Sequence, residues 1–578
     1  MAITKVTGSL LGNYTVGTSN VVVGNNAGNS IESGGNYNVL VGDNAGTAIN
    51  TGDYNAFYGF ASGDAVTTGE FNTALGAYAL TTDTLGKRSV AVGASALENQ
   101  NFTSATMAYN TAVGYAAGAA ITTGVQNTLI GGLAGDAITT ADNNTAVGYS
   151  SLSANTTGEL NVALGRSSLS KNTTAGGNVG VGGYALNNNT TGAANIGIGQ
   201  QALNTNTTAS SNTAVGFQSL YANTASNNTA VGRSTLNANT TGTQNVAVGA
   251  LSLTANTTGD NNVSVGMNTM LANTTGTQNT ALGKAALATN TTGTNNTAIG
   301  YASLINNTTA ANNTANGYSA LYANTTGHSN TAVGYNAMGT STTATSNSAF
   351  GLNAGAGLTT GTLNTHVGRD SGGGVTTGSS NVTLGYLAGN YGTSLTTGSG
   401  NVLVGPYTAP ADGTASQAHG LGYNIDCAAD FTTLGNNTAD SRLAHGGTSW
   451  AAVSDIRVKK DIKDAKAGLS FINDLRPVTF NYKTKGEIPE EFNGYEEGST
   501  ETYKNEKTQH GFIAQEVKEV IDNHDEITDG FKMWQELDHT GQQEIAEGYL
   551  IPILTKAVQE LSTTVGELKS ELLALKGE

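Results

Sequence analysis

A short word of polar and apolar residues recurs along the first 405 positions of the chain. It begins with asparagine, continues through a β-branched, a small and an apolar residue, and closes with glycine, as in Asn144–Gly148 and Asn161–Gly165. The closing glycine occurs 23 times from Gly24 to Gly405, and 18 of the 22 intervals are 17 residues long. Self-similarity at a fixed period predicts a solenoid built from stacked repeats.

The positions of the word differ in their predicted roles. The second is mostly threonine, valine or isoleucine, and the fourth is apolar in nearly every copy, with Asn316 as an exception. A strand's period of two puts these two positions on one face and the small residue, usually alanine, on the other. A leucine often follows four residues after the glycine, as Leu152 does, and an Asn-Thr-Thr-Gly turn such as 155–158 closes the unit.

A three-residue strand buries little by itself, so the units must stack in register. The predicted fold is mainly β, a parallel β-solenoid or β-roll shaft over residues 20–405 with one turn per unit. At roughly 4.8 Å per rung, 23 rungs give a shaft on the order of 110 Å. Each unit has only about two sizeable apolar groups, which predicts a thin interior. We expect the alanine and glycine faces to meet neighbouring chains in a trimeric rod.

Charge divides the chain near residue 453. Residues 1–453 contain 9 basic and 16 acidic side chains, whereas residues 454–578 contain 15 and 25. The second part is therefore expected to be an ordinary globular domain, and the first is not. The net charge of −17 argues against a nucleic-acid partner.

Candidate chemistry is sparse in the repeats. They hold no catalytic constellation, and we expect neither a metal nor a cofactor. His366 stands alone at a position usually held by alanine and is predicted to be a packing or surface residue, while the lone Cys427 cannot form an intrachain disulfide. No stretch approaches 18 apolar residues and residues 1–10 lack the core of a secretion signal, so we expect cytoplasmic synthesis without membrane insertion.

The repeated word resembles the head repeats of trimeric autotransporter adhesins, which also have an Asn/Ser-x-Ala-Val/Leu-Gly core. Repeats of that family are usually shorter than 17 residues, and its signal peptide and outer-membrane anchor are not found here. The resemblance implies a trimeric β-roll and a role in surface binding. Flat arrays of threonine and asparagine also leave open an ice-binding solenoid, and the Asn-X-Thr triplets leave open glycosylation.

Three separated motifs characterise the last part of the chain. They are AAVSDIRVKKDI from Ala451, LRPVTFNY from Leu475 and GFIAQEV from Gly511. In this order they resemble the C-terminal intramolecular chaperone of phage tail fibres and tailspikes, the endosialidase type, a self-cleaving serine peptidase family. The module is also found in some membrane-bound transcription factors of animals. The resemblance covers roughly residues 450–578 and implies a small α+β chaperone domain that drives trimerisation.

The resemblance also implies residue roles. The scissile bond is Val453–Ser454, the nucleophile is Ser454 and the base is Lys459. A serine hydroxyl needs a base to remove its proton, and a lysine serves as that base only when desolvation favours its neutral form. Five residues apart on a straight strand, the two side chains would point to opposite faces, so a bend, a helix start or a neighbouring chain must bring them together.

Other residues near the motifs have weaker assignments. Asp455 and Arg457 are expected to support the site, although an ion pair between them is equally compatible with the sequence. Lys460 is the alternative base. His510, which precedes the third motif, is predicted to be structural. The only enzymatic activity expected is cleavage of the chain itself.

Apolar residues in the tail follow a heptad spacing. They are Leu554, Val558, Leu561, Val565, Leu568, Leu572 and Leu575. The 4-3 spacing predicts a coiled coil within 550–578, whereas Gly566 weakens it and a single amphipathic helix packed on the domain is the alternative. A parallel coil would align three chains at their C-terminal ends.

Together these features favour a homotrimeric viral tail fibre that is assembled in the host cytoplasm and attaches the virion to its host. Residues 1–19 are predicted to dock on a tail or baseplate protein, 454–549 to form the chaperone domain, and 406–453 to form the distal tip. The tip is expected to contact a host-surface receptor, with a glycan as one option. Its candidate receptor-binding residues are Tyr407, His419, Tyr423 and Trp450. A non-viral trimeric adhesin remains the alternative to a tail fibre.

Overall fold

The computed structural model describes residues 17–437, 439–452, 454, 456–527, 531–537 and 540–577. The chain forms two compact units, residues 1–453 and 454–578. Within the described ranges, no helix combines the length and the apolar character needed to cross a membrane.

The first unit is a parallel β-solenoid with one three-residue strand per turn. Neighbouring strands pair in parallel and without offset, so that Val246 lies beside Val263 and Val263 beside Thr280. The predicted β-solenoid of 17-residue repeats is thereby confirmed. The strands are β1 (Val21–Val23), β2 (Val39–Val41), β3 (Ala56–Tyr58), β4 (Thr73–Leu75), β5 (Val90–Val92), β6 (Thr111–Val113), β7 (Thr128–Ile130), β8 (Thr145–Val147), β9 (Val162–Leu164), β10 (Val179–Val181), β11 (Ile196–Ile198), β12 (Thr213–Val215), β13 (Thr229–Val231), β14 (Val246–Val248), β15 (Val263–Val265), β16 (Thr280–Leu282), β17 (Thr297–Ile299), β18 (Thr314–Asn316), β19 (Thr331–Val333), β20 (Ser348–Phe350), β21 (Thr365–Val367), β22 (Val382–Leu384) and β23 (Val402–Val404).

The stack of strands continues beyond Gly405, where the glycine period ends. A first further strand pairs in parallel with β23, and a second pairs in parallel with the first. Two antiparallel strands follow. The elements of this segment are β24 (Ala409–Pro410), β25 (His419–Tyr423), β26 (Asp426–Cys427), β27 (Phe431–Asn436), β28 (Ala439–Ala444) and β29 (Ala451–Ala452). A sheet of 27 described strands therefore runs from β1 to β29, with β24 and β26 forming a separate pair.

The interior of the solenoid is lined by the middle residue of each three-residue strand, which is usually alanine. Ala247 and Ala281 are fully buried, whereas the outward neighbours Val246 and Leu282 are 37% and 48% exposed. The leucine after the corner, such as Leu253, is also fully buried and fills the space that the alanine leaves. Our expectation that the alanine face would meet neighbouring chains is therefore wrong, because that face is the core of each turn.

The asparagine that opens each word forms a buried ladder. Asn262 Oδ1 accepts a hydrogen bond from the backbone N–H of Asn279 at 3.0 Å, and Asn262 Nδ2 donates to Gly276 O at 2.9 Å. A second ladder joins the turn asparagines, since Asn256 Nδ2 donates to Asn239 Oδ1 at 2.7 Å. Buried polar groups need partners, and these contacts explain why the position is asparagine in nearly every copy.

The closing glycine turns the chain through a conformation that other residues adopt rarely. Gly266 has a φ of +136°, and a Cβ there would lie 2.7 Å from Gly283 O in the next turn. Both the dihedral angle and the close approach of successive turns require glycine.

The second unit is a small α+β domain. Its helices are α1 (Leu469–Asp474), α2 (Ala514–Asp522) and α3 (Leu550–Lys576), and its strands are β30 (Val478–Phe480), β31 (Gln509–Gly511), β32 (Trp534–Glu536) and β33 (Gln543–Ile545). Single 3-10 turns span Ile456–Val458 and Glu547–Tyr549. The strands form two antiparallel pairs, β30 with β31 and β32 with β33. Phe471, Val517, Met533, Leu550 and Ile553 form the centre of its core, which confirms the predicted fold.

Candidate site of self-cleavage

Ser454 and Lys459 are in direct contact at the start of the second unit. The 3-10 turn Ile456–Val458 lies between them, and the backbone N–H of Lys459 donates to Ile456 O at 3.2 Å. Because the chain completes one turn over this stretch, Lys459 Nζ donates to Ser454 Oγ at 2.7 Å. A helical turn within one chain therefore brings together two side chains that a straight strand would separate.

Lys459 Nζ and Ser454 Oγ are close enough for proton transfer, but neither side chain is desolvated. Both Ser454 and Lys459 are exposed. A lysine accepts the proton of a serine hydroxyl only in its neutral form, which burial favours. The single chain thus holds the predicted serine and base within hydrogen-bond distance but exposed to solvent.

The other residues predicted for this site have different places. Val453 and Asp455 lie outside the described residues, so the scissile bond has no geometry here. Arg457 lies in the 3-10 turn and Lys460 follows it, both exposed. His510 lies in β31 opposite Thr479, which suits a structural role. The supporting roles of Asp455 and Arg457 stay predictions.

A histidine joins two elements of the second unit. His524 is 8% exposed, and its Nε2 lies 2.9 Å from Asp474 Oδ2 at the end of α1. Its Nδ1 lies 2.8 Å from Glu526 Oε1. The hydrogen bonds to Glu526 and Asp474 raise the pKa of His524, because both carboxylates favour the protonated imidazole. The sequence pattern gave no signal for this cluster, since Asp474 is 50 residues away from His524.

His366 lies in the solenoid interior, in the alanine position of β21. It is fully buried, and its Nδ1 lies 2.8 Å from Thr383 Oγ1 in the next turn. Burial lowers the pKa of His366 to about 4. Cys427 is also buried with a free thiol, and burial raises its pKa to about 12. In the part of the chain that the structure describes, no group of three or more His, Cys, Asp or Glu side chains could hold a metal ion.

The candidate receptor-binding residues fall into separate contacts. The rings of Tyr407 and Tyr423 pack edge to face with centroids 5.6 Å apart. The ring of His419 contacts that of His445 instead, with centroids 4.6 Å apart. Trp450 directly precedes β29 and its side chain is half exposed. The structure therefore joins two of the four residues, and their role in receptor binding stays a prediction.

The apolar seam of α3 is uncovered in the single chain. Leu550, Ile553 and Ala557 pack on the domain and are buried. The heptad residues that follow are 42–84% exposed: Leu554, Val558, Leu561, Val565, Leu568, Leu572 and Leu575. The start of the helix thus packs on its own domain, as in the alternative of a packed helix, while the seam itself is available to another surface.

Comparison with known families finds a match in the second unit. The family described as the chaperone of endosialidase (peptidase S74) matches residues 454–526. The match begins at Ser454, which is also the first residue of the second unit and the partner of Lys459. No curated protein matches the chain. The chain therefore combines a β-solenoid with a domain similar to the chaperone of endosialidase, a combination that fits a protein of the tail-fibre or tailspike kind.

Proposed function

We propose that the protein is a homotrimeric viral tail fibre that attaches a virion to its host, and that its second unit folds the trimer and then cleaves itself off. The observation that carries this proposal is the 2.7 Å contact between Lys459 Nζ and Ser454 Oγ, at the first residue of the family match. The proposed partners are two further copies of the chain, a tail or baseplate protein, and a host-surface receptor.

In the proposed cleavage, neutral Lys459 takes the proton of Ser454 Oγ while that oxygen attacks the carbonyl carbon of Val453. The C–N bond then breaks, the Ser454 nitrogen takes the proton from Lys459, and an ester joins Val453 to Ser454 Oγ. A water molecule hydrolyses the ester, which restores the hydroxyl of Ser454 and leaves a carboxylate on Val453, and the released proton goes to the α-amine of Ser454. The balance is one water consumed for one peptide bond broken.

Assembly would supply the missing desolvation. In the single chain Ser454 and Lys459 are exposed, and so is the seam of α3. A parallel coil of three α3 helices would hide the seam and hold three domains together. Cover from a neighbouring domain would then favour neutral Lys459 and restrict cleavage to assembled chains.

The shaft has a surface suited to the same assembly. We define the strand face as the outward second and fourth positions of β1–β23, represented by Val246, Val263 and Leu282 at 37%, 39% and 48% exposure. Neither position holds a charged residue in any copy. At ~4.8 Å per rung and ~10 Å of strand width the face covers roughly 1,000 Å², comparable to the ~800 Å² that each partner buries in a stable complex. An uncharged face of this size, with an apolar side chain at the fourth position of nearly every strand, is typical of an interface.

Intact mass and a denaturing gel on the expressed chain test self-cleavage. We expect wild type to separate into fragments of 453 and 125 residues, and both Ser454→Ala and Lys459→Met to remain whole. Lys460→Met is the matched control, and we expect it to cleave. Intact wild type under conditions where it is trimeric, or cleavage by Lys459→Met, would contradict the assignment of the dyad.

Sedimentation tests the trimer and the strand face. Leu282→Asp places a carboxylate on the strand face of every chain, whereas Thr292→Asp places it on an exposed turn of the same repeat. We expect wild type and Thr292→Asp to sediment as trimers and Leu282→Asp to dissociate more readily, because buried unpaired charges are costly. A monomeric wild type contradicts the trimer, and equal stability of the two variants contradicts the use of this face.

A further inference from the structure

Four tyrosines gather on the solenoid near its last regular turns, and we call them the tyrosine cluster: Tyr386, Tyr391, Tyr407 and Tyr423. Tyr407 is central, with its ring centroid 5.3 Å from Tyr386, 4.7 Å from Tyr391 and 5.6 Å from Tyr423. Tyr386, Tyr407 and Tyr423 come from successive turns. Tyr386 follows β22, Tyr407 follows β23, and Tyr423 is the last residue of β25. Tyr391 belongs to the longer repeat of 20 residues between Gly385 and Gly405.

The geometry of the cluster differs from that of the aromatic ladders elsewhere on the shaft. Tyr301, Tyr318 and Tyr335 stack on one another at 5.1 Å with interplanar angles of 15° and 7°. In the cluster the interplanar angles are 79°, 63° and 89°. A stacked pair covers one face of each ring, whereas an edge-to-face pair covers one face in total. The stacked tyrosines each directly follow their closing glycine, whereas Tyr407 lies two residues after Gly405, so its ring does not stack in step with those of Tyr386 and Tyr423.

The open ring faces are accessible. Tyr386, Tyr391 and Tyr423 are 37%, 44% and 49% exposed. Tyr391 lies beside Gly392, where an added Cβ would have nothing within 4 Å, so the backbone next to this ring leaves open space. Exposed aromatic groups of this density on a soluble protein indicate a binding surface.

The chemistry of the cluster selects among ligands. A tyrosine ring presents a negative face to polarised C–H groups, and its hydroxyl exchanges hydrogen bonds. A pyranose ring offers both, with C–H groups on one side and hydroxyls around its edge. The guanidinium of Arg369 lies over the Tyr386 ring, 5.6 Å from its centroid, and is paired with Asp370 at 3.0 Å. The cluster therefore offers aromatic faces and hydroxyls without net charge.

We infer that the tyrosine cluster is a binding site for a neutral carbohydrate. Four side chains offer far less than the ~800 Å² that a stable protein partner covers, and the net charge of −17 disfavours a polyanion. The surface is open rather than a closed pocket, which suits a stretch of glycan chain lying along the shaft. The inference rests on the proposed attachment function and names its ligand class, and it includes Tyr407 and Tyr423 from the residues predicted for the receptor.

The hydroxyl of Tyr407 is suited to donate a hydrogen bond. Desolvation by the surrounding rings, followed by the nearby Tyr386, Tyr423 and Tyr391 hydroxyls, raises its pKa. A tyrosine phenol keeps its proton across neutral pH even without this shift, so the hydroxyl can donate a hydrogen bond. Sugar hydroxyls accept as well as donate, so a protonated phenol at the centre of the cluster supports recognition of an uncharged ligand.

Binding of the full chain to an array of neutral and acidic glycans tests the inference. We expect wild type to bind a neutral glycan, and Tyr391→Ala and Tyr423→Ala each to bind it about tenfold more weakly. Tyr391→Phe retains the ring face, and we expect it to keep most of the affinity. Tyr318→Ala, in the stacked ladder, is the matched control, and we expect less than a twofold change.

Three results would overturn the inference: no binding to any neutral glycan, binding to acidic glycans alone, or equal losses in the cluster and in the control. Sedimentation and self-cleavage of each variant separate this result from the proposed function. A trimer that cleaves but binds no neutral glycan refutes the carbohydrate site alone. A chain that neither assembles nor cleaves, yet binds a neutral glycan through Tyr391, refutes the proposed assembly and leaves the site intact.

Discussion

Truncation of one ladder asparagine measures how much the buried polar ladder contributes to the solenoid. Asn262→Ala removes four hydrogen bonds. Asn262 Nδ2 no longer donates to Gly276 O or to Asn245 Oδ1, and Asn262 Oδ1 no longer accepts from the backbone N–H or the Nδ2 of Asn279. The alanine leaves the strand itself unchanged, so the effect reports on the ladder.

The size of the expected loss in stability depends on which partners of Asn262 keep another hydrogen bond and which do not. Gly276 O still accepts from Asn273 Nδ2 at 3.1 Å, and Asn279 Nδ2 still donates to Gly293 O at 2.9 Å. The backbone N–H of Asn279 loses its partner inside a buried position. An orphaned buried donor costs roughly 1–3 kcal/mol and an ordinary lost hydrogen bond about 1 kcal/mol, so we expect Asn262→Ala to lower the free energy of unfolding by about 3 kcal/mol per chain.

Guanidinium unfolding at one protein concentration, followed by circular dichroism, measures the change. The matched control is Thr275→Ala, an exposed turn position of the same repeat, where we expect less than ~0.5 kcal/mol. Hydrogen exchange adds a local test, because the amide of Asn279 should lose protection. If Asn262→Ala unfolds at the same midpoint as the control, the ladder is not a source of stability and the reasoning fails.

Three further changes test other features. Because the pKa of His366 is lowered from 6.5 to about 4, the unfolded chain binds a proton at a higher pH than the folded chain does. The free energy of unfolding of the solenoid should therefore fall by about 3 kcal/mol as pH falls from 6.5 to below 4. Unfolding titrations at several pH values should show this loss in wild type and not in His366→Ala. His524 has a raised pKa, so its contribution is present below 6.5 and is lost as pH rises through the raised value; melting of the second unit should show this in wild type and not in His524→Gln. Gly266→Ala should destabilise the shaft by about 2 kcal/mol or more through its positive φ, and Gly183→Ala, with no atom within 4 Å of an added Cβ, should change the unfolding midpoint little.

Much of the solenoid follows from the period alone. The fourth-position residues and the closing glycines predicted each strand and each corner, since a three-residue strand that recurs every 17 positions can pair only with its own copies. The side of the sheet that faces inwards could not be predicted in the same way. Alternation says that Val246 and Ala247 lie on opposite faces, but it does not say which is inside. The buried Leu253 decides it, because a leucine from the corner fills the interior and leaves room only for alanine beneath the strand.

The candidate site also has features that the sequence predicted and features that only the structure shows. The pairing of Ser454 with Lys459 came from a resemblance, and its distance depends on a 3-10 turn of Ile456–Val458 that the β-branched residues there do not suggest. Tyr391 was missed for a different reason. It lies in the one long repeat near the end of the shaft, out of step with the word, and only the coordinates place its ring against Tyr407.

The repeats also explain why such a shaft needs a separate domain to assemble. In the proposed trimer, each strand face meets copies of itself, and 18 of 22 intervals are identical. A slip of one whole turn between chains would then preserve nearly every contact along the shaft, so the interface has little energy with which to reject it. The heptad seam of α3 lies outside the repeats and is a unique sequence in each chain, so its pairing sets one register for all. Once the register is set, the many rungs make a slip slow, and the aligning unit is no longer needed for the shaft to persist. The proposed cleavage at Ser454 would fit that order of events, because it would follow assembly and leave the strand stack whole.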